Sequence, residues 1–249
     1  NAGCAIAAYC AYAGIRCRIF VPESTSPAKL EQLGAYGAEV VRVAGSRQKT
    51  TDAVMVEAER GFYASHTFDP FFLHGTKTCA YEIVEQLGRV PGSVYIPTGN
   101  GTLLLGCFIG FSELLAWGVI GRLPRLVAVQ AANCAPLYHA CVGIGEALEK
   151  GEFLPTVAEG IAISGPARLS EMVEAVRVSG GDVVTVGEDA IVEAKRFLDS
   201  KGFFVEPTAA VAWAGAVACH ANSPYRDSDF ETGPTVIITT GHGLKSAGH

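Results

Sequence analysis

The sequence predicts an α/β fold built on open sheets that are parallel or mostly parallel. Segments with strand character alternate along the chain with segments of helical spacing, an order typical of parallel sheets. Residues 93–106 have the pattern of a buried strand, a glycine turn and an apolar helix in direct succession. The composition agrees, because 49% hydrophobic residues, 18% charged residues and 29 glycines suit a compact α/β core.

The first elements are delimited by residues that start or stop regular structure. Asn1 is suited to cap the first helix and Gly14 to end it, while Pro27 opens the second helix and Gly37 stops it. The predicted order is helix 2–13, strand 16–21, helix 27–36, strand 39–43, helix 48–60 and strand 62–64.

The alternation breaks at residues 68–71, and we expect a domain boundary there. The sequence thus predicts a small domain over 1–68 and a larger one over 69–249, each a three-layer αβα arrangement. The elements predicted for the larger domain are helix 75–87, strand 94–96, helix 102–117, strand 126–130, helix 136–150, helix 169–176, strand 183–186, helix 188–200, helix 207–221 and strand 236–239. In such folds ligands bind at the carboxyl ends of the strands, and we expect the active site there, between the domains.

Charge and cysteine usage exclude several classes of protein. The formal net charge of −6 disfavours nucleic acid as a partner, and no apolar run reaches the ~18 residues of a membrane span. The eight cysteines include no Cys-x-x-Cys pair and no zinc-ligand spacing. We therefore expect no metal, and free thiols in a reducing compartment such as the cytoplasm.

The turn Gly99-Asn100-Gly101 is a candidate anion site. A glycine turn that feeds a helix presents backbone N–H groups at the positive end of the helix dipole, where phosphate binds favourably. Two plainer interpretations remain open at this point: a simple strand-to-helix connection, or a hairpin turn through Asn100 and Gly101.

Five segments together resemble one family. They are Asn1-Ala2-Gly3, Gly37-Ala-Glu-Val-Val41, Gly75-Thr-Lys-Thr78, Pro97-Thr-Gly-Asn-Gly-Thr102 and Thr239-Thr-Gly-His-Gly-Leu-Lys245. A sixth, Glu206-Pro-Thr-Ala-Ala210, is shared with related dehydratases. The chain resembles the β-family, or fold type II, of pyridoxal-phosphate enzymes, whose architecture is that of the tryptophan synthase β-subunit, and within it most of all threonine synthase.

The resemblance implies roles for individual residues. The cofactor phosphate would be held by the loop, the ring hydroxyl by Asn1 and the pyridine nitrogen by Thr240. The loop residues implied are Gly99, Asn100, Gly101, Thr102 and Leu103. Glu206 either belongs to the site or only caps the helix that begins at Pro207. A neutral hydroxyl such as that of Thr240 does not enforce protonation of the ring, which suits elimination and replacement better than transamination.

Two features depart from the family's pattern. The family's Schiff-base lysine lies upstream of the segment that begins here with Asn1, so we expect the catalytic lysine outside this chain, and neither Lys77 nor Lys245 matches its position. Phe72 stands where threonine synthases usually carry an arginine, and Ala2 where they often carry a threonine. Arginine and hydroxyl groups are natural phosphate ligands, so their loss argues against O-phosphohomoserine as substrate.

Three hypotheses follow. The first is a threonine-synthase-like lyase, active in β- or γ-elimination or replacement on a small amino acid when full length and inactive as this chain alone. The second is a serine or threonine dehydratase, or a β-replacement synthase that makes cysteine or cysteate, of the same fold. The third is a non-catalytic fragment that keeps the fold without the lysine. The resemblance also implies a homodimer.

Overall fold

The computed structural model describes residues 2–45, 47–59, 61–143, 153–222 and 233–245. The chain divides into two compact units, one of Asn1–Asp69 with Gly243–His249 and the other of Pro70–His242. The strands are β1 (Arg18–Pro22), β2 (Glu39–Val43), β3 (Ser93–Pro97), β4 (Arg125–Ala131), β5 (Asp182–Val186) and β6 (Thr235–Ile237). The helices are α1 (Ala2–Ala13), α2 (Pro27–Ala35), α3 (Arg47–Ala58), α4 (Pro70–Thr76), α5 (Thr78–Leu87), α6 (Thr102–Ala116), α7 (Pro136–Cys141), α8 (Leu169–Val178), α9 (Glu188–Ser200) and α10 (Pro207–Asn222).

The first unit is a parallel pair of strands with helices on both faces. β1 and β2 pair in register from Arg18 opposite Glu39 onward. On one face α1 and α2 bury a small core around Ala7, Val21 and Leu33. On the other face Arg18 bonds to Glu57 of α3 at 2.7 Å. The opposite faces follow from strand geometry, because residues 18 and 21 point to different sides of the sheet.

The second unit is a four-stranded parallel sheet in the order β5-β4-β3-β6. Its two faces bury separate cores. Val94 and Ile96 of β3 pack with α5, α6 and α8, whereas Tyr95 packs with α9 and α10 on the opposite face. This alternation is the two-residue period of a strand buried on both sides, as parallel sheets require. The predicted α/β fold with parallel sheets and helices on both faces is confirmed.

Three predicted elements differ from the structure. Residues 62–64 form no strand; the Ser65 N–H donates to the Tyr63 carbonyl (2.8 Å) and the Ser65 hydroxyl accepts from the Phe68 N–H (3.0 Å), so hydrogen bonds within a turn replace sheet pairing. The helix predicted over 75–87 is two helices, with Lys77 between α4 and α5. The helix predicted over 136–150 ends at Cys141, and residues 144–150 lie outside the described part of the chain.

Candidate functional site

The glycine loop and Thr240 lie at the same edge of the second unit's sheet. β3 and β6 are parallel neighbours, with Tyr95 opposite Ile237, and the Ile238 N–H extends the pairing to the Tyr95 carbonyl (3.1 Å). The loop follows β3 and Thr240 follows β6, so both stand at carboxyl ends of strands. Thr240 is exposed. Asn1, the third predicted contact, lies outside the described residues.

The loop opens the 15-residue helix α6. Gly101 has the left-handed backbone angle φ of 77° that favours glycine, and its carbonyl accepts the Leu105 N–H at 2.8 Å. Thr98 is buried, and its N–H donates to the Val129 carbonyl at 2.8 Å. Within the described chain, the N–H groups of Gly99 and Gly101 donate to no protein acceptor. A helix start with unused N–H donors is suited to bind an anion.

Both glycines are also packing positions, because neither has room for a side chain. A Cβ on Gly99 would lie 2.9 Å from the Ile161 Cα, and one on Gly101 would overlap the sulfur of Met172. Ile161 belongs to the 3₁₀ turn Glu159–Ile161, and Met172 belongs to α8. These close contacts keep the loop bare, and residues 99–103 carry no acidic side chain. The donor set therefore fits the phosphate of the expected cofactor.

No local sequence signal marks Ile161 or Met172 as a neighbour of the loop. Their contacts join positions about 60 and 70 residues apart along the chain, and both read as ordinary apolar residues. The one available signal was Gly101 itself, because a backbone conformation with positive φ at a helix start favours glycine.

Glu206 lies beside Gly241, the residue after Thr240. Its side chain is 5% exposed, and its N–H donates to the Gly241 carbonyl at 3.0 Å. Its carbonyl accepts the Ala209 N–H in the first turn of α10. An antiparallel bridge between Val205 and His242 ties the same two segments together. The Thr240 segment is therefore attached to the start of α10.

Phe72 and Lys77 have clear placements. Phe72 lies half-buried in α4. The Lys77 Nζ lies 2.9 Å from Glu113 Oε1 in α6, and this bond raises the pKa of Lys77. A nucleophilic amine needs the opposite shift, toward the unprotonated form. The ion pair thus suits a structural role for Lys77.

Metal-ligating clusters and membrane-spanning helices are both absent from the described residues. No cluster of three or more His, Cys, Asp or Glu side chains able to hold a metal ion occurs in that part of the chain. Among the same residues, no helix combines the length and hydropathy that crossing a membrane requires.

Sequence comparison finds one family and a consistent set of relatives. A profile of the family described as "Pyridoxal-phosphate dependent enzyme" matches residues 1–241. Threonine synthase of Methanocaldococcus jannaschii is 34% identical over 98% of this chain and 60% of its own length. Threonine synthase 2, chloroplastic, of Arabidopsis thaliana is 33% identical over 97% of this chain and 47% of its own length. The chain thus spans between about half and two thirds of these relatives, and the resemblance predicted from the motifs is confirmed.

Solved structures agree on the fold. A maize serine racemase superimposes with a TM-score of 0.78 at 20% identity, covering 97% of this chain and 70% of that one. The processed threonine deaminase isoform 2 of Solanum lycopersicum gives 0.78 at 23% identity, covering 97% and 67%. At these identities the likeness concerns the fold alone.

Proposed function

Since the chain belongs to the pyridoxal-phosphate dependent enzyme family, we propose that the whole protein is a threonine-synthase-like lyase acting on a small amino acid. The reaction class is β- or γ-elimination or replacement. The observation that carries the proposal is the bare glycine loop at the start of α6, whose Gly99 and Gly101 N–H groups lack protein acceptors in the described chain. The threonine synthases found by sequence comparison support the choice within the family.

The proposed cofactor contacts come from three places. Backbone N–H groups of the loop would hold the phosphate, Thr240 the pyridine nitrogen and Asn1 the ring hydroxyl. The loop contacts proposed are those of Gly99, Asn100, Gly101, Thr102 and Leu103. The bound cofactor supplies the electron sink that the chemistry needs. Thr240 offers it a hydroxyl in place of a carboxylate, which favours elimination and replacement over transamination.

A second candidate rests on Phe72 and Ala2. A phenylalanine and an alanine replace the arginine and threonine that would bind a substrate phosphate, so an unphosphorylated amino acid suits these positions better. This favours a serine or threonine dehydratase, or a β-replacement synthase. A non-catalytic role for the chain alone is the third candidate. Neither Lys77 nor Lys245 matches the position of the family's covalent lysine, so we expect that lysine outside this chain.

Domain boundaries, a homodimeric state and a cytoplasmic location are also proposed for the protein. We assign residues 1–68 to a small domain and 69–249 to a large cofactor-binding domain. The division of compact units between Asp69 and Pro70 supports the internal boundary, but it groups Gly243–His249 with the first unit. A homodimer is proposed from the family resemblance alone. A cytoplasmic location is supported by the eight cysteines, which are all free thiols.

Kinetics of the whole protein test the reaction. O-Phosphohomoserine, serine, threonine and O-acetylserine are supplied in turn with pyridoxal phosphate. We expect lyase or replacement turnover with at least one unphosphorylated amino acid, and poor turnover of O-phosphohomoserine. A strong preference for O-phosphohomoserine would show that another cation replaces the missing arginine. Absence of turnover with every substrate would refute the enzyme proposal.

Covalent trapping tests the 249-residue chain by itself. Pyridoxal phosphate is added, the mixture is reduced with borohydride and the labelled peptide is mapped by mass spectrometry. We expect weak binding of the cofactor, no stoichiometric label on any lysine and no turnover. Stoichiometric labelling of one lysine together with turnover would place the covalent lysine within residues 1–249.

A further inference from the structure

We propose that two side chains outside the glycine loop, Gln130 and Thr76, aim its N–H donors at the phosphate. They are called the loop anchors below. The proposal rests on the phosphate role of the loop and adds the residues that position it. Each anchor donates a hydrogen bond to a carbonyl at one end of the loop, Gln130 to Thr98 and Thr76 to Thr102.

Gln130 anchors the first end. Its side chain is fully buried, and its Nε2 donates to the Thr98 carbonyl at 3.1 Å. Its Oε1 accepts the N–H groups of Leu137 and Tyr138 at 3.0 and 3.1 Å, in the first turn of α7. The amide is held on both sides, so its direction is fixed. A buried amide that reached no partner would cost stability, which explains why this polar side chain is so fully engaged.

Thr76 anchors the second end. Its hydroxyl lies 3.0 Å from the Thr102 carbonyl and 3.2 Å from the Leu73 carbonyl. Gly106 makes this approach possible, because a Cβ there would overlap the Thr76 hydroxyl. The absence of a side chain at residue 106 thus lets α4 come close enough to bond with the first residue of α6.

Peptide planarity turns these carbonyl bonds into control of the N–H groups. In a trans peptide the C=O and the next residue's N–H point in opposite directions within one rigid plane. Directing the Thr98 carbonyl at Gln130 therefore aims the Gly99 N–H away from Gln130. Directing the Thr102 carbonyl at Thr76 likewise aims the Leu103 N–H away from Thr76. Gly99 and Leu103 are both proposed phosphate contacts.

The anchors matter because glycine is the most mobile residue. Gly99 and Gly101 would otherwise sample many backbone conformations, and ordering them on binding would weaken affinity. When both ends are anchored, the loop is already ordered in the folded protein before phosphate binds. Loss of an anchor should then weaken binding by the worth of about one net hydrogen bond, roughly two- to tenfold.

Titration of the ¹⁵N-labelled chain with inorganic phosphate and with pyridoxal phosphate, followed by amide NMR shifts, tests the proposal. We expect Thr76→Val and Gln130→Met to raise the dissociation constant about two- to tenfold, the effect of one net hydrogen bond. Thr76→Val should disturb chiefly the Leu103 amide and Gln130→Met the Gly99 amide. Thr76→Ser keeps the hydroxyl and should restore affinity to that of the unaltered chain.

Two controls separate anchoring from general stability. Thr78→Val removes a hydroxyl that bonds the Gly75 carbonyl (3.0 Å), and Asn133→Ala removes an amide that bonds the Pro155 carbonyl (2.6 Å). Neither bond involves the loop, so neither change should alter the dissociation constant below the melting temperature.

The outcomes distinguish the two proposals. If the unaltered chain binds phosphate and both anchor variants bind it equally well, anchoring is wrong while the phosphate site stands. If Thr76→Ser fails to restore affinity, anchoring by the hydroxyl is wrong. If the unaltered chain shows no shift at Gly99, Gly101 or Leu103 with either probe, the phosphate site itself is refuted and anchoring with it.

Discussion

The carboxylate of Glu206 fills the space that a Cβ on Gly241 would need, and the Glu206 N–H donates to the Gly241 carbonyl at 3.0 Å. These two residues are 35 positions apart in the sequence and join the start of α10 to the segment that carries Thr240. The position of Thr240 is therefore coupled to a buried acid.

Replacing Gly241 by alanine tests this coupling. We expect Gly241→Ala to displace the Glu206 carboxylate and lower the free energy of unfolding by about 1–3 kcal/mol, the usual cost of over-packing. Urea denaturation measures the change. Gly165→Ala is the matched control, since a Cβ at Gly165 meets no atom within 4 Å. Equal stabilities of the two variants would contradict the close contact.

Gly101 and Met172 should be energetically coupled. Gly101→Ala is expected to cost about 2–5 kcal/mol, because the left-handed backbone costs ~1–2 and overlap with Met172 ~1–3. Met172→Ala costs about 2–5 kcal/mol alone by leaving a cavity. With both changes the new methyl group uses the vacated space, so the double variant should lose less stability than the two single losses added together. A double-mutant cycle in urea measures the difference, and strict additivity would argue against direct contact.

The close contacts of Gly99 and Gly101 limit which substitutions can test phosphate binding. A valine at residue 99 or 101 tests phosphate binding cleanly only if the fold is unaffected. Because Ile161 and Met172 occupy the space beside these glycines, valine should also destabilise the second unit. The loop anchors are better sites for testing affinity alone.

Close packing of α5 against α6 predicts a contrast between two helical glycines. A Cβ on Gly110 would lie 2.5 Å from the Lys77 carbonyl oxygen and 2.8 Å from the Ala80 Cβ, whereas one on Gly75 meets no atom within 4 Å. Gly110→Ala should lower the free energy of unfolding by about 1–3 kcal/mol. Gly75→Ala should raise it by up to about 1 kcal/mol, the helix-propensity gain. Thermal denaturation separates the two, and stabilisation by Gly110→Ala would show that the helices can move apart.

We expect the Glu113 carboxylate to make a pH-dependent contribution to the stability of the fold. Hydrogen bonds from the Tyr81 hydroxyl and then from Lys77 hold the pKa of Glu113 below its ordinary value. Because the folded-state pKa is lowered, this stabilisation is present above the unfolded-state pKa of about 4.3 and is lost as pH falls through the folded-state value. Glu113→Gln should therefore lower the melting temperature at pH 7 and approach the unaltered chain under acid conditions.

Glu85→Gln serves as the control for this pH series, because Glu85 is an exposed residue of the neighbouring helix α5. Its melting temperature should follow that of the unaltered chain throughout. A constant difference between Glu113→Gln and the unaltered chain from pH 3 to pH 7 would show that the carboxylate's bonds do not set the stability.

Local sequence signals predicted most of the fold. β2 (Glu39–Val43) and α9 (Glu188–Ser200) have the predicted bounds, because apolar spacing and end residues decide them within a short stretch. Residues 62–64 failed for the converse reason: three residues rich in aromatic side chains have strand character, but a strand requires a partner that the local sequence does not reveal. The break at Lys77 lies where the Lys77 carbonyl approaches Gly110, 33 residues later, a contact that the local sequence does not reveal.

The candidate site likewise combines one feature that the local sequence predicts with others that it does not. The glycine loop is a local motif and could be read directly. Its supports are not local, because Gln130 appears in the sequence as a polar residue closing an apolar strand, and Thr76 as part of a helix. Their hydrogen bonds cross 32 and 26 positions. Such pairs are set by the packing of elements, which single-sequence reasoning does not supply.

The polypeptide passes from the first compact unit to the second and back again. The 3₁₀ turn Gly243–Lys245 contacts α2, so it returns to the unit that begins the chain after β6 has completed the sheet of the other. Synthesis runs from the N-terminus, so this turn leaves the ribosome after β3, β4, β5 and β6 of the second unit. The first unit should therefore gain its contact between this turn and α2 only late in translation, and its segments made earlier should stay exposed to proteases and chaperones until then.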